Sequence, residues 1–253
     1  MVNQSTLCTF LYVCSFYRMN ILFGLKIIGV NKLLLFLGLF IGVLTNSFSQ
    51  DFFRLKTDFT IKSKTLDGKQ QLTVGKIYYD KNIKKLVFQI RFPERETWVQ
   101  KDTSLYKIVD GKVVSRQSTP DVAGLTIYHL ALNGDLADYG LKKSKMKIID
   151  VEKDGNKIIS TWSPPPELKE SFGSILMLNV NQQLVGIVFK NPEGEVVSRQ
   201  FFRNYLTIDG LSFPQELVKE TIVDGVKYYE VTTYKNMIIN EKDNSDKYDY
   251  KIP

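Results

Sequence analysis

Cysteine is nearly missing from this chain of 253 residues: the two present, Cys8 and Cys14, both precede residue 50. Beyond that point there is no thiol for a disulfide, a nucleophile or a zinc site. Histidine is scarcer still, with His129 alone. No G-x-S-x-G elbow, no P-loop and no G-x-G-x-x-G occurs, so the usual signatures of hydrolase and nucleotide chemistry are missing. Asp102, Asp110, Asp209 and Asp224 fall in tight turns, where aspartate has a structural reason to stand. A carboxylate pair for glycoside cleavage has no support in this pattern. A non-enzymatic protein without cofactor or metal is expected.

Clustered charge of one sign is absent too. Of the 34 basic residues, Arg18, Lys26 and Lys32 precede residue 51 and none of the 27 acidic ones does, which leaves 31 against 27, a net +4. That charge is spread among interleaved Lys, Asp and Glu, unlike the basic stripe that a phosphate backbone requires. Nucleic acid is not an expected partner.

Long apolar runs are lacking as well. Leu33–Leu44, LLLFLGLFIGVL, is shorter than the roughly 18 residues that argue for a membrane-spanning helix. Lys26 and Lys32 precede it, and Ser47 and Ser49 follow. A basic flank, an apolar centre and small residues form the order of a secretory signal peptide, with the cut expected after Ser49 or Gln50. An uncleaved anchor is the alternative. Residues 1–18 read as an upstream extension, because Met19 makes a more ordinary start. No cysteine follows the cut, so the chain is not expected to carry a lipid anchor of its own.

What is present is alternation. In KKLVFQIRFPERETWVQKD, Leu86, Phe88, Ile90 and Phe92 fall on one face, and Lys85, Gln89 and Arg91 on the other. A period of two marks a strand with one dry and one wet side. Similar runs, separated by Asp67-Gly68, Asp110-Gly111, Asp224-Gly225 and other turn signals, continue towards the end. They predict a mainly β protein, an antiparallel meander of roughly ten strands. Ser118–Gly140 breaks the rhythm. Thr119 can cap a helix, Pro120 suits its first turn and Asn133-Gly134 can end it. Val122, Ala123, Leu125, Ile127, Tyr128, Leu130 and Leu132 cover most of its circumference, so this helix is expected to be covered on more than one side, lying across the open concave face. His129 within it reads as a packed residue with a satisfied ring nitrogen. The three prolines of WSPPPELKESFG, Trp162–Gly173, predict a loop crossing between strands. The last residues, 241–253, are polar and read as a frayed tail.

The dry side is rich in large side chains, among them Phe88, Phe92, Trp98, Trp162, Phe189 and Phe202, with Met146, Met177 and Met237. These suit an adaptable wall for an apolar guest and equally suit a filled core.

Residues Gly75–Ile108 as a unit resemble the LolA-like periplasmic lipoprotein carriers of Gram-negative bacteria. Gly75, Tyr78 and Tyr79 fit the end of that family's first alternating strand. Leu86, Phe88, Ile90 and Pro93 fit its amphipathic strand, and Trp98–Asp102 with Leu105-Tyr106 the strand after it. Pro120–Tyr139 looks like its helical lid, and the stretch from Ile175 to Leu217 like its C-terminal strands. The resemblance spans most of residues 55–240. It implies a curved antiparallel half-barrel over residues 51–240, with a short helical lid and an apolar cavity for acyl chains. On that likeness Leu86, Phe88, Ile90, Phe92 and Trp98 line the cavity beneath Val122, Leu125, Tyr128 and Leu132. The implied partners are acyl chains of lipoproteins or other lipids, an inner-membrane donor complex and an outer-membrane acceptor. The implied location is the periplasm. A non-transport envelope interaction or lipoprotein-sensing module would use the same fold. Two departures stand out: no amphipathic helix precedes the first strand, and Lys81-Asn82-Ile83 replaces an arginine–proline pair whose arginine holds the lid. That latch is either absent or supplied by Lys81.

Overall fold

The computed structural model describes residues 51–64, 68–118 and 126–253. The expected leader, Asp67 of the first turn, the Thr119 cap, and Val122 and Leu125 lie outside the described residues.

Thirteen strands form a single antiparallel sheet. They are β1 (Arg54–Lys64), β2 (Gln70–Asp80), β3 (Lys85–Phe92), β4 (Glu96–Lys101), β5 (Ser104–Val109), β6 (Lys112–Ser118), β7 (Lys147–Asp154), β8 (Lys157–Ser163), β9 (Ile175–Val180), β10 (Gln183–Lys190), β11 (Val196–Ile208), β12 (Leu211–Val223) and β13 (Val226–Ile239). Their spatial order is β6-β5-β4-β3-β2-β1-β13-β12-β11-β10-β9-β8-β7. Two meanders therefore meet where β1 pairs with β13, which joins the two ends of the chain's sheet in the middle. The mainly β, open half-barrel expectation holds, with more strands than the ten or so anticipated.

Several strands run further than alternation alone marks. β12 begins at Leu211 and contains Pro214, a residue unsuited to a central strand. Pairing with β13 starts only at Glu216, so Pro214 is paired on one side alone, to Tyr205 of β11, and its missing N–H costs no ladder bond.

The concave face carries the main core. Leu55 and Phe59 of β1, Ile77 and Tyr79 of β2, Leu86 and Ile90 of β3, Phe202, Phe213 and Tyr234 are all buried there. Close approach is needed at Gly75, where a Cβ would stand 2.8 Å from the Phe59 ring and 2.4 Å from the Gln89 carbonyl oxygen. Across this face lies helix α1 (Ile127–Leu132), capped by the Thr126 hydroxyl, which accepts from the His129 N–H at 3.3 Å. Ile127, Tyr128, Leu130, Ala131 and Leu132 are buried, as expected of a helix apolar nearly all round. Tyr128 stacks on Phe213 at 6.1 Å, and its hydroxyl donates to the Tyr234 hydroxyl at 3.2 Å. The ring of His129 is satisfied by the Tyr79 hydroxyl at 2.6 Å from Nδ1.

The outer face differs from expectation. Residues 241–253 do not read out as a frayed tail. Helix α2 (Ser245–Tyr248) and the residues after it cover a second cluster of Tyr78, Val87, Val99 and Ile108, joined by Tyr250 and Ile252. Tyr248 is 0% exposed and meets Tyr78 edge-on at 5.4 Å, with the Arg54 guanidinium 4.7 Å over its ring. Lys85, expected on a wet side, is buried and paired with Asp249. The tail is polar in composition, yet a few rings set against a patch of Val87 and Val99 suffice to dock it.

Ion pairs hold this seam. Hydrogen bonds from Lys251 and Lys85 bring the Asp249 carboxyl down to about 2. Burial would raise Glu241, but hydrogen bonds from Lys56 and Tyr248 outweigh it and lower its pKa. A lowered folded-state pKa stabilises above the ordinary carboxylate range and stops doing so as pH falls through the folded value. The seam should therefore loosen between about pH 4 and pH 2. Amide exchange at 245–250 measured across that window should rise before exchange in β1 and β13; a tail that stays protected to pH 2 contradicts this.

Candidate functional site

The concave face divides into a filled centre and an open wing. In the centre Leu86, Ile90, Tyr128 and Leu132 come together in one buried cluster, with Phe88 and Trp98 half-buried at its border. The expected wall and lid are thus brought into contact, and their side chains pack on each other. Phe92 leaves the group. A bulge sets Val74 opposite Phe92 and Gly75 opposite Ile90, so Arg91 is an extra residue and Phe92 swings to the outer face, 48% exposed. One added residue inverts which side of a sheet follows it. The placement of Phe92 on the dry side is corrected accordingly. Lys81 occupies the expected latch position in part: its Nζ pairs with Asp51 at 2.8 Å and reaches the Leu132 carbonyl, the end of α1, at 3.5 Å.

Burial pushes the Tyr128 hydroxyl well above its ordinary range and raises Tyr139 and Tyr234 as well, so these phenols stay neutral. Among the described residues no cluster of His, Cys, Asp and Glu suits a metal ion.

The open wing holds a groove of about 630 Å³. Its floor is the inner face of β9 to β12, at Ile175, Phe189, Ser198, Gln200, Lys219 and Thr221, with Ile222 at the rim. Its other bank is the segment before β7 and the loop between β8 and β9, with Met146, Pro164, Leu168 and Phe172. The three prolines do make the crossing predicted for them, the last opening a short 3-10 turn at Pro166–Leu168. The loop returns through Gly173, whose N–H donates to the Lys190 carbonyl at 3.1 Å. A Cβ there would lie 1.9 Å from the Asn191 carbonyl oxygen, so the bank closes on the floor only with glycine. Phe172 stands 60% exposed and Leu168 39% exposed at this groove. The volume falls within the range of about 300–1,000 Å³ usual for small-molecule pockets. A smaller cleft of about 210 Å³ lies at the end of α1, between Ala131, Leu136, Leu184 and Leu211.

Of the groove residues, Met146 and Phe189 stood among the large side chains noted in the sequence. Leu168, Phe172, Ile175 and Ile222 did not. The one available signal was a phenylalanine and a leucine in a loop otherwise of proline and charge.

An open, curled antiparallel sheet with a helix across its concave side defines the open half-barrel class of β folds. Within that class the fold is LolA-like. No family model matches the chain, and no curated protein matches it. Solved structures do. A LolA superfamily protein from Nitrosomonas europaea aligns over 79% of this chain and 90% of its own, with TM-score 0.51 and 15% identity. A putative outer membrane lipoprotein-sorting protein domain from Vibrio parahaemolyticus aligns over 77% and 88%, with TM-score 0.54 and 10% identity. At such identity the likeness concerns the fold.

Proposed function

We propose that this protein is a periplasmic, non-enzymatic carrier that shelters acyl chains of lipids or lipoproteins in the open wing of its concave face. The observation that carries this reading is the apolar groove of about 630 Å³ between β9–β12 and the Pro164–Gly173 loop. Support comes from the LolA-like fold, one of whose solved examples is a putative outer membrane lipoprotein-sorting protein domain. Each methylene buried contributes roughly 0.8 kcal/mol, so a long chain gains on the order of 10 kcal/mol gross. A groove open along one side recovers part of that, which keeps release feasible. Phe88 and Trp98 stand at the border of the packed centre, outside the groove lining. Leu86, Ile90, Tyr128 and Leu132 become available only if α1 lifts, and Val122 and Leu125 belong to the same lid. Transfer between an inner-membrane donor and an outer-membrane acceptor is the transport role this reading implies.

Protein purified from its own cells, extracted and examined by mass spectrometry, should yield acyl lipid near one equivalent. It should also bind a fluorescent fatty acid that unlabelled lipid displaces. Leu168→Glu should cut that binding at least about tenfold by setting a charge in the apolar bank, while Phe88→Glu leaves it within about threefold. The reverse order would place the guest beneath α1. An empty extract together with no binding would overturn the carrier reading.

A further inference from the structure

One end of the groove floor is polar, and it is polar without net charge. Ser198 of β11 lies between Phe189 of β10 and Thr221 of β12 as their cross-strand partner, so all three face inward. Two residues along, Gln200 and Lys219 form the next inward pair. A single row therefore passes from hydroxyls at Thr221 and Ser198 to hydrocarbon at Phe189 and Ile175. Glu230 of β13 stands directly across from Lys219 on the same face, and opposite charges so placed attract. Lys190 borders the groove, yet it follows the inward Phe189 and alternates to the opposite face.

Neutral hydrogen-bonding capacity remains there. The Tyr139 hydroxyl donates to Gln200 Oε1 at 3.4 Å, which holds that side chain inward and leaves its amide N–H groups to donate. The Ser198 hydroxyl donates to the Glu220 carbonyl at 2.9 Å and keeps its lone pairs. Among the described residues the Thr221 hydroxyl has no partner. Uncharged donors and acceptors beside an apolar bank suit a head that offers hydroxyls and an ester carbonyl. A carboxylate would leave water for a place whose inward cation already has a counter-charge across the ladder. A bare hydrocarbon would cover the amide and the hydroxyl without pairing them.

Resting on the carrier reading, we infer that the groove selects an acyl chain with an uncharged, hydroxyl- and ester-bearing head, of the monoacylglycerol kind. The head lies at Gln200 and Thr221, and the chain lies over Phe189 and Ile175 against the Pro164–Gly173 loop. Glu230 acts in this selection by cancelling the charge of Lys219 rather than by touching the ligand.

Monopalmitin, palmitate and hexadecane are the probes, titrated into the full chain by displacement of a neutral fluorescent acyl dye at neutral pH. Monopalmitin should bind about tenfold more tightly than either of the others. Gln200→Leu combined with Thr221→Val should bring monopalmitin to within about threefold of hexadecane, whose own affinity stays within about twofold. Glu230→Gln frees the Lys219 ammonium, so palmitate should gain at least about fivefold at low salt while monopalmitin stays within about twofold. Circular dichroism melting of each variant checks that the sheet is intact. Palmitate or hexadecane matching monopalmitin on the unaltered protein, or a monopalmitin advantage that survives the double replacement, overturns the head-group assignment and leaves the groove standing. Palmitate unmoved by Glu230→Gln overturns the role given to Glu230. Failure of the dye and all three probes to bind overturns the groove itself.

Discussion

Replacing Tyr248 by alanine should cost the sheet about 3–5 kcal/mol of stability, the range found when a large aromatic is cut from a packed interior. Tyr248 lies only five residues from the C-terminal Pro253, where loss of a side chain ordinarily matters little. Here it is 0% exposed, fills the space above Tyr78, Val87 and Val99, and receives the Arg54 guanidinium on its face. Its hydroxyl donates to Glu241 at 3.1 Å, which in turn holds Lys56 at 2.8 Å. Truncation therefore opens a cavity and frees the outer face of β2–β4 to water. Tyr248→Phe keeps the ring and loses the hydrogen bond, so it should cost about 1 kcal/mol. Urea unfolding followed by far-ultraviolet circular dichroism measures both. A loss below about 1 kcal/mol for the alanine variant would mean that the outer cluster is not part of the cooperative fold.

The second large effect is on binding without an effect on folding. Phe172→Asp should weaken an acyl ligand by about 10- to 100-fold, since burying one phenylalanine side chain contributes roughly 1.5–3 kcal/mol. Phe172 is 60% exposed, so the melting temperature should barely move. Its backbone is set by the bond from its N–H to the Leu168 carbonyl at 2.8 Å and by the return through Gly173, both of which the substitution leaves in place. Phe172→Leu should retain most of the affinity. An exposed aromatic with no ligand to cover would give an aspartate variant with unchanged affinity, and that result would detach the loop from the site.

Much of the architecture could be read from residue order, because its causes are local. Period-two alternation in β3 and the Asp-Gly turns depend on neighbours one to three positions away. The boundaries of α1 show the limit of this reading. Asn133-Gly134 ends it as expected, yet the cap that acts in the described part is Thr126. The longer runs of β1 and β13 follow from partners about 180 residues distant, such as Leu55 beside Ile239, which no local pattern records.

The site was harder to read. Phe88 and Phe92 carry the same pattern signal four residues apart, but the bulge at Arg91 separates them onto opposite faces. Whether a dry face is vacant or filled depends on what crosses it, and α1 with Tyr128 fills the half where Leu86 and Ile90 stand. The vacant half arises where the Pro164–Gly173 loop stands off the β9–β12 floor. That distance is set by Gly173 against Asn191, a contact at the open end of the β9–β10 hairpin.

The amino-acid order alone determined that this is an antiparallel β protein with one greasy side, free of thiol chemistry beyond residue 50, and provided with an apolar helical crossover. Alternation, turn residues and composition act over a few positions and need no fold to express them. Only the tertiary structure decided that the polar-looking end docks through Tyr248, that Phe92 faces outward, and that the open space lies on the β9–β12 wing. Those outcomes hang on side chains distant in the chain meeting or failing to meet, which is settled by the curl of the sheet and the packing across it.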